Sequence, residues 1–458
     1  MAGFDLALAR VRDDATQLLA VDRINQLARA QNHNFRDTIL TPGNTLCWFI
    51  RQIAHGNVAC AAVHRLVGEE FSDAGWCQAR DRLPIELVQR VHRDLIDPAR
   101  RDLDQQDDMG DGAYRWRGHR LHVVDGTSDT MPDTPLLREH YGVSARCGDG
   151  LGFPTSHLML LLDHRSGLLL DCIDSKINTH DASVVPKTHQ HLEAGDVMLG
   201  DVAFSGYAHL ALILRSNLHA ILPTHQCRIV DFTPQRGHAH PHQGNRHQRA
   251  GKPHSRVIKS LGTDDQLVEY FKPKIKPKWM DPAQWNQLPE SITVREIRRT
   301  VQRNGFRPII VTIVTTLLDP EQYPADELIE LRLTRWMVET NIRHLKRTLG
   351  MSQLKCKTPQ RVQKERLIFL LVYNLIRIVM VQAARRQNVN VNRISFADAL
   401  SWLRFGDVSE RPHMKVNPLR LGRLEPRVLK HSQNRYPYMK QPRHVLQSQL
   451  RARHSDTA

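Results

Sequence analysis

The sequence has no C-x-x-C pair, no long uninterrupted apolar run and no internal repeat. Its seven cysteines, Cys47, Cys60, Cys77, Cys147, Cys172, Cys227 and Cys356, are scattered along 458 residues. That spacing argues against a thiolate zinc site or a disulfide framework and suits a reduced cytoplasm. The longest apolar segment, Leu367 to Val381, is interrupted by Tyr373, Asn374 and Arg377. It is too short to span a bilayer comfortably, so it predicts a buried helix and no membrane partner. Asp5 lies inside the first apolar run and no basic leader precedes it, so no secretory signal is expected.

Acidic residues are in deficit. Lys and Arg outnumber Asp and Glu by 64 to 48, giving a net charge of +16 and a pI near 9.8. A polyanionic partner follows, with nucleic acid first among candidates. The excess is concentrated: Arg411 to Ala458 carries eleven Lys or Arg against Glu425 and Asp456, a local +9 that reads as an interaction tail. From Phe232 to Thr263 there is no acid at all, and Arg236, Arg246, Arg249, Lys252, Arg256 and Lys259 alternate with five histidines in what reads as a solvated basic loop. A second basic run, YFKPKIKPKWMD, sets Tyr270, Phe271 and Trp279 among Lys272, Lys274, Lys276 and Lys278. It suits phosphate contact with stacking on an unpaired base, or else an exposed hairpin whose aromatics pack underneath.

With 41% hydrophobic residues the chain can bury a substantial core in several domains. Residues 1–110 read as helical: LALARVRDDATQLLAVDRINQLARA has a 3.6-residue apolar period, and Leu87, Val91 and Leu95 repeat at i, i+4, i+8 behind Pro84. Short apolar segments then alternate with helical ones. HRLHVVDGTSD predicts a strand ending at Asp125 and Gly126, LMLLLD and GLLLDCID an antiparallel pair, VMLGD a strand stopping at Asp201, and HAILP and IIVTIVTTLLD two more. Such α/β cores place their chemistry at the carboxyl ends of strands.

The stretch LRLTRWMVETNIRHLKRTL, read as one helix, puts Arg332, Arg335, Arg343 and Lys346 on the face of Glu339. A lone acid among four bases is either a neutralised ion pair on a solvated face or a metal ligand flanked by phosphate contacts. Two strand-end aspartates and a helical glutamate can converge on hard divalent cations, which take oxygen ligands and serve phosphoryl transfer. Haloacid-dehalogenase-like phosphatases also carry DGT after an apolar strand, but with a nucleophilic aspartate two residues before the first Asp; here that position is Val123. A zinc site on His238, His240 and His242 is the other metal alternative, disfavoured because alternate residues of a strand face opposite ways and no cysteine accompanies them.

These segments resemble the DDE transposases of insertion-sequence family 4. The likeness rests on VVDGTSDTMPDTP, on GDVAFSGYAHLALIL and on the helix with Arg335, Glu339 and Lys346; it extends to TLGMSQLKCKTPQRVQKE, FRDTILTP, CQARDRLP and YPYMKQPRH. It implies an α/β ribonuclease-H-like core interrupted by a basic β-rich insertion. The implied division is an N-terminal helical DNA-binding domain at 1–110, core at 111–224, insertion at 225–300, core at 301–390 with the glutamate helix, and a basic C-terminal region at 391–458. It also implies Asp125, Asp201 and Glu339 as a catalytic triad holding two Mg²⁺ or Mn²⁺ ions, with Arg335 and Lys346 contacting phosphate. Arg332, Arg343, Lys272, Lys274, Lys276, Lys278 and Trp279 complete the expected DNA-binding set. The implied activity is cleavage at terminal inverted repeats and transfer into target DNA, by a synaptic homodimer acting in the cytoplasm at the nucleoid. A catalytically inactive, transposase-derived DNA-binding protein is the alternative. One signature position departs: a tyrosine usually stands where this chain has Arg332.

Overall fold

The structure is a computed structural model that describes residues 19–105, 114–144, 152–244, 250–302, 307–405 and 413–418, with isolated positions of the C-terminal tail. The expected helical start before residue 19, Cys147, Arg246, Arg249 and nearly all of the basic tail lie outside the described residues.

The N-terminal region is helical as expected: α1 Val21–Ala30, α2 Pro42–Ala54, α3 Cys60–Val67, α4 Asp73–Arg82 and α5 Ile85–Gln105. Local chemistry starts them. Thr41 caps α2 by accepting from the Asn44 amide at 3.2 Å, with Pro42 in the first turn, and Ser72 caps α4 through the Gly75 amide at 3.0 Å. Leu87, Val91 and Leu95 are all buried, so the predicted stripe on α5 is its core face.

A nine-stranded mixed sheet in the order β3-β2-β1-β4-β5-β9-β8-β7-β6 forms the centre of the molecule. Its strands are β1 Leu121–Thr130, β2 Thr155–Asp163, β3 Leu169–Lys176, β4 Val197–Leu199, β5 His219–Pro223, β6 Ser255–Gly262, β7 Asp265–Phe271, β8 Ser291–Val301 and β9 Ile309–Thr315. β1, β4 and β5 are parallel, and all other pairings are antiparallel. Side chains alternate across it. Leu121, Val123, Leu158, Leu160, Val197 and Leu199 face one apolar cluster, whereas Val124, Met159, Leu161 and Met198 face another.

The first cluster is covered by α5 and by α12 Pro359–Gln387, the second by α8 Tyr207–Arg215. Between β1 and β4 lie α6 Pro135–Tyr141 and α7 Asp181–Val184, the latter running into a 3₁₀ helix, Val185–His191. The later helices are α9 Pro282–Gln287, α10 Ala325–Thr334, α11 Met337–Arg343 and α13 Phe396–Phe405.

Three expectations are corrected. β1 does not end at Asp125 and Gly126 but runs on to Thr130, because β2 continues to pair with it through Thr155. The basic run to Thr263 is not all loop; Ser255–Gly262 is strand, paired to β7. The Glu339 segment is two helices, α10 and α11, followed by a π-helical turn at His344–Thr348. The region expected as an insertion adds β6, β7 and β8 to the edge of the same sheet through β9.

α12 holds the apolar run Leu367–Val381 and is the buried core helix predicted from it. The polar residues that interrupt this run tie it to the β2–β3 hairpin. Asn374 accepts from the Leu169 amide and donates to the Leu169 carbonyl, both at 2.8 Å, and Arg377 donates to the Ser166 carbonyl from Nε at 2.9 Å. Arg366, on the same helix, meets Asp129 at 3.0 Å and Asp174 at 2.7 Å, where Ser156 adds a 3.0 Å bond. Arg366 and Asp129 are both buried.

Arg366→Met should therefore destabilise the protein by about 3–5 kcal/mol, because it leaves Asp129 charged and unpaired. Urea denaturation measures this. Adding Asp129→Asn should return part of the loss, and a single-variant loss under about 1 kcal/mol would contradict the network's role.

Burial disfavours the charged form of several histidines. Burial pulls His92, His164, His209 and His344 down to about 4 and His189 to about 3. Each can take a proton near 6.5 only when unfolded, so the unfolded state binds more protons in the interval below that value. Each such group removes up to about 1.4 kcal/mol of stability per pH unit as pH falls from about 6.5 towards 4. The urea midpoint should fall steadily across that range, and a flat profile between pH values of about 6.5 and 5 would contradict it.

Candidate active site

The register of the parallel strands brings Asp125 and Asp201 together. Val123 pairs with Leu199, and each aspartate lies two residues further along its own strand direction. Both sit past the carboxyl ends of the paired segments and on the same side of the sheet. Asp201 opens a short 3₁₀ turn, Val202–Phe204, so the chain leaves the sheet there while β1 continues alongside β2. Gly126 serves close approach rather than a turn: a Cβ at this position would lie 3.1 Å from a carboxylate oxygen of Asp181, which itself meets His157 at 2.6 Å.

Alternate residues of β1 present Asp125, Thr127 and Asp129 to the helical side, and each receives a cation from the C-terminal helices. Arg335 Nη1 lies 3.2 Å from Asp125 Oδ2, Lys346 Nζ is 3.2 Å from Thr127 Oγ1, and Arg366 holds Asp129. Asp125 also accepts from the Gly126 amide at 3.0 Å. Burial nevertheless raises the Asp125 pKa; Arg335 opposes that shift and the negative charge of Asp201 adds to it.

Arg332 stands in the same field. Burial and the like charge of Arg335 weigh against its cation, while Asp201 and Asp125 favour it. The Nε atoms of both Arg332 and Arg335 are buried without a hydrogen-bond partner.

Among the described residues Glu339 pairs only with Arg335, whose Nη2 lies 3.8 Å from Glu339 Oε1; the glutamate side chain is 67% exposed against 11% for the arginine. The single stripe predicted for Arg332, Arg335, Glu339, Arg343 and Lys346 is therefore broken. At Arg335–Trp336 the backbone bonds run i to i−3, with Val338 N to Arg335 O at 2.9 Å and Glu339 N to Trp336 O at 3.1 Å. That tight turn, followed by the π-turn, changes the angular relation between these side chains. Arg335 and Lys346 face β1, whereas Glu339 and Arg343 face solvent. Among the described residues no group of three or more His, Cys, Asp or Glu is assembled to hold a metal.

The expected second basic run divides. Lys274 and Lys278 are exposed. Lys272 is buried, donating to the Leu288 carbonyl at 2.9 Å and to Glu290 at 3.2 Å, and Lys276 donates to the Met280 carbonyl at 2.6 Å. Tyr270 is buried with its hydroxyl on Glu296 at 2.8 Å, and Trp279 packs against the second apolar cluster. These aromatics pack underneath rather than standing free for a base. His238 and His240 lie against the Phe271 ring, at 5.8 and 4.3 Å between centroids.

Sequence reasoning missed Thr127, Asp129, Asp181, His157 and Arg366. The alternation of polar residues after Val123 was the available signal for Thr127 and Asp129. Nothing in the sequence marked their partners.

The family model described as "Transposase DDE domain" matches residues 116–375, which contain β1, β4 and the Glu339 helix. The chain belongs to the DDE transposase family. Its relationship is to the insertion-sequence 4 type: it is 23% identical over 380 residues to the transposase InsG of element IS4 from Escherichia coli K12, covering 79% of this chain and 77% of that one. The solved piggyBac transposase synaptic complex with hairpin DNA aligns with 87% of this transposase and 78% of that chain, at 9% identity and a TM-score of 0.39.

Because Arg335 lowers the pKa that burial raises, Arg335→Ala should move Asp125 further upward, and Arg335→Lys should move it less. Carboxyl NMR titration of Asp125 reads this. An unchanged or lowered Asp125 pKa in Arg335→Ala would show that the pair is not electrostatically coupled.

Proposed function

We propose that this transposase is catalytically active and cuts and joins DNA at Asp125, Asp201 and Glu339. The observation that carries the reading is the Val123–Leu199 register, which sets two half-buried carboxylates side by side beneath the Arg335–Glu339 helix. In this reading β3-β2-β1-β4-β5 is the ribonuclease-H-like core. The β6–β8 extension interrupts that core in sequence ahead of the Glu339 helix.

Asp125 and Asp201 fit a divalent cation. They offer hard oxygen donors, and burial raises the Asp125 pKa, a shift that Arg335 opposes and the Asp201 charge adds to. Arg335 and Arg332 supply the positive charge nearby. Asp125, Asp201 and, from the helix above, Glu339 would hold two Mg²⁺ or Mn²⁺ ions, which when bound stabilise charge on the attacking and leaving oxygens of an in-line displacement.

The chain's own cations bind and orient the DNA. A backbone phosphate offers Arg335 an anion that competes with Asp125, and a guanidinium grips two phosphate oxygens where a tyrosine hydroxyl makes one bond. Arg332 thus brings to the signature position a stronger phosphate contact than the usual tyrosine. Lys346 is fixed by Thr127 beside the same phosphate path, and Arg343, Lys274 and Lys278 offer exposed charge further out. Water attacks the phosphorus at each element end and the 3′-oxygen departs. The freed 3′-hydroxyl gives up its proton and attacks a target phosphorus, forming the new 3′-oxygen–phosphorus bond as the target strand's own 3′-oxygen departs and takes a proton from water, with no covalent protein intermediate. The N-terminal helices recognise the inverted repeats in a synaptic homodimer.

The rival reading is a DNA-binding relative without activity. Asp125→Asn, Asp201→Asn and Glu339→Gln separate the two: each should retain end binding and lose strand cleavage by roughly a hundredfold or more. Cleavage by Glu339→Gln at near wild-type rate would sink the triad, and no cleavage by the wild type on its own element ends would favour the inactive relative.

A further inference from the structure

A cavity of about 300 Å³ lies where the N-terminal helices meet the segment that follows the π-turn. Its wall includes the cations Arg80, Lys355, Lys357, Arg361 and Lys364, and no carboxylate among the described residues lines it. The counter-charges around it are Asp81, 2.8 Å from Arg361 on the exposed rim, and the buried Glu365 behind the wall, whose carboxylate accepts from the Lys355 and Cys356 amides at 3.0 and 2.9 Å and from Asn57.

The other cations are poorly neutralised. Lys364 and Lys355 donate to backbone carbonyls, of Asp81 and Asn57 respectively. Arg80 stacks on Phe49 with its guanidinium carbon 3.9 Å from the ring centre. Its Nη atoms point at the sulfurs of Cys60 at 3.3 Å and Cys356 at 3.1 Å, which are weak acceptors, and its buried Nε has no partner.

Helix polarity deepens the imbalance. α12, whose Arg361 and Lys364 lie on the cavity wall, has no acid in its first turn and no side-chain cap. Arg361 and Lys364 follow at once, although the positive end of a helix favours anions and disfavours cations. An anion seated in the cavity would meet a wall that carries five cationic side chains.

We propose that this cavity binds a backbone phosphate of duplex DNA, anchoring it at the joint between the N-terminal helices and the catalytic portion. The inference rests on the reading of this chain as a DNA-acting transposase. The shared chemistry is that of a phosphate oxyanion, so free phosphate and a phosphodiester must be distinguished. The wall carries its own reporter: the Cys77 thiol is exposed and lies on the lining.

The experiment measures alkylation of Cys77 by iodoacetamide, followed by peptide mass spectrometry, at mildly alkaline pH because burial raises this thiol's pKa. Full-length protein is compared without ligand, with a mixed-sequence DNA duplex and with inorganic phosphate at matched ionic strength, and binding is checked by gel shift. The duplex should slow Cys77 alkylation several-fold and phosphate alone should protect it much less. Lys357→Glu, which changes an exposed side chain, should abolish the protection and reduce the salt slope of duplex binding by about 0.9. If the duplex binds and Cys77 reacts at its unprotected rate, the phosphate site is overturned while the transposase reading stands. Protection by inorganic phosphate but not by duplex would overturn the DNA assignment in favour of a small-anion site. Failure of the wild type to bind any duplex would defeat the site and the transposase reading together.

Discussion

Three cations held against one face of β1 organise the molecule. Asp125, Thr127 and Asp129 occupy successive positions on that face, and Arg335, Lys346 and Arg366 come to them from α10 through α12. The contacts span some two hundred residues of sequence, so the first strand of the sheet and the last helices of the fold are locked in one register. Their environments grade along the strand. At Asp129 the pair is fully buried and structural; at Asp125 it is half-buried, and the acid is left with an upward-shifted pKa. A charge that is paired but not fully compensated is the usual condition of a group with chemical work to do.

Much of this was readable in advance. The strands from Leu158 to Pro223 and the helical N-terminal region follow from apolar periodicity, and the buried status of Leu367–Val381 follows from its three polar interruptions. The nearness of Asp125 and Asp201 was readable only as a strand-end rule; what makes it concrete is a parallel register that sequence alone does not specify. β1 was cut short because Asp-Gly reads as a stop. The glycine instead makes room for Asp181, a contact with a residue more than fifty positions away that no local pattern contains.

The basic segments were the least legible. A run such as YFKPKIKPKWMD has the same composition whether its lysines meet solvent or carbonyl oxygens. Lys272 and Lys276 turn inward because β7 ends at Phe271 and the chain folds back over α9, where the Leu288 and Met280 carbonyls need donors. Tyr270 follows strand alternation into the core, and there Glu296 gives its hydroxyl a partner. The charge count was correct and its spatial assignment was not, since burial depends on neighbours from distant strands.

The Glu339 helix shows why the straight-helix expectation failed in a physically instructive way. On a regular helix of about 3.6 residues per turn, Arg335, Glu339 and Lys346 share one face, and all three would press against β1. Glu339 would then join Asp125 and Asp201 in a half-buried cluster of carboxylates, each raising the others' pKa. The tight turn at Arg335–Trp336 and the π-turn at His344–Thr348 avoid this by turning the two cations inward and leaving the glutamate largely in water. Arg335 remains within reach of both acids, 3.2 Å from one and 3.8 Å from the other. In this arrangement a single guanidinium, Arg335, bridges Asp125 and Glu339, while the glutamate stands apart from the paired aspartates.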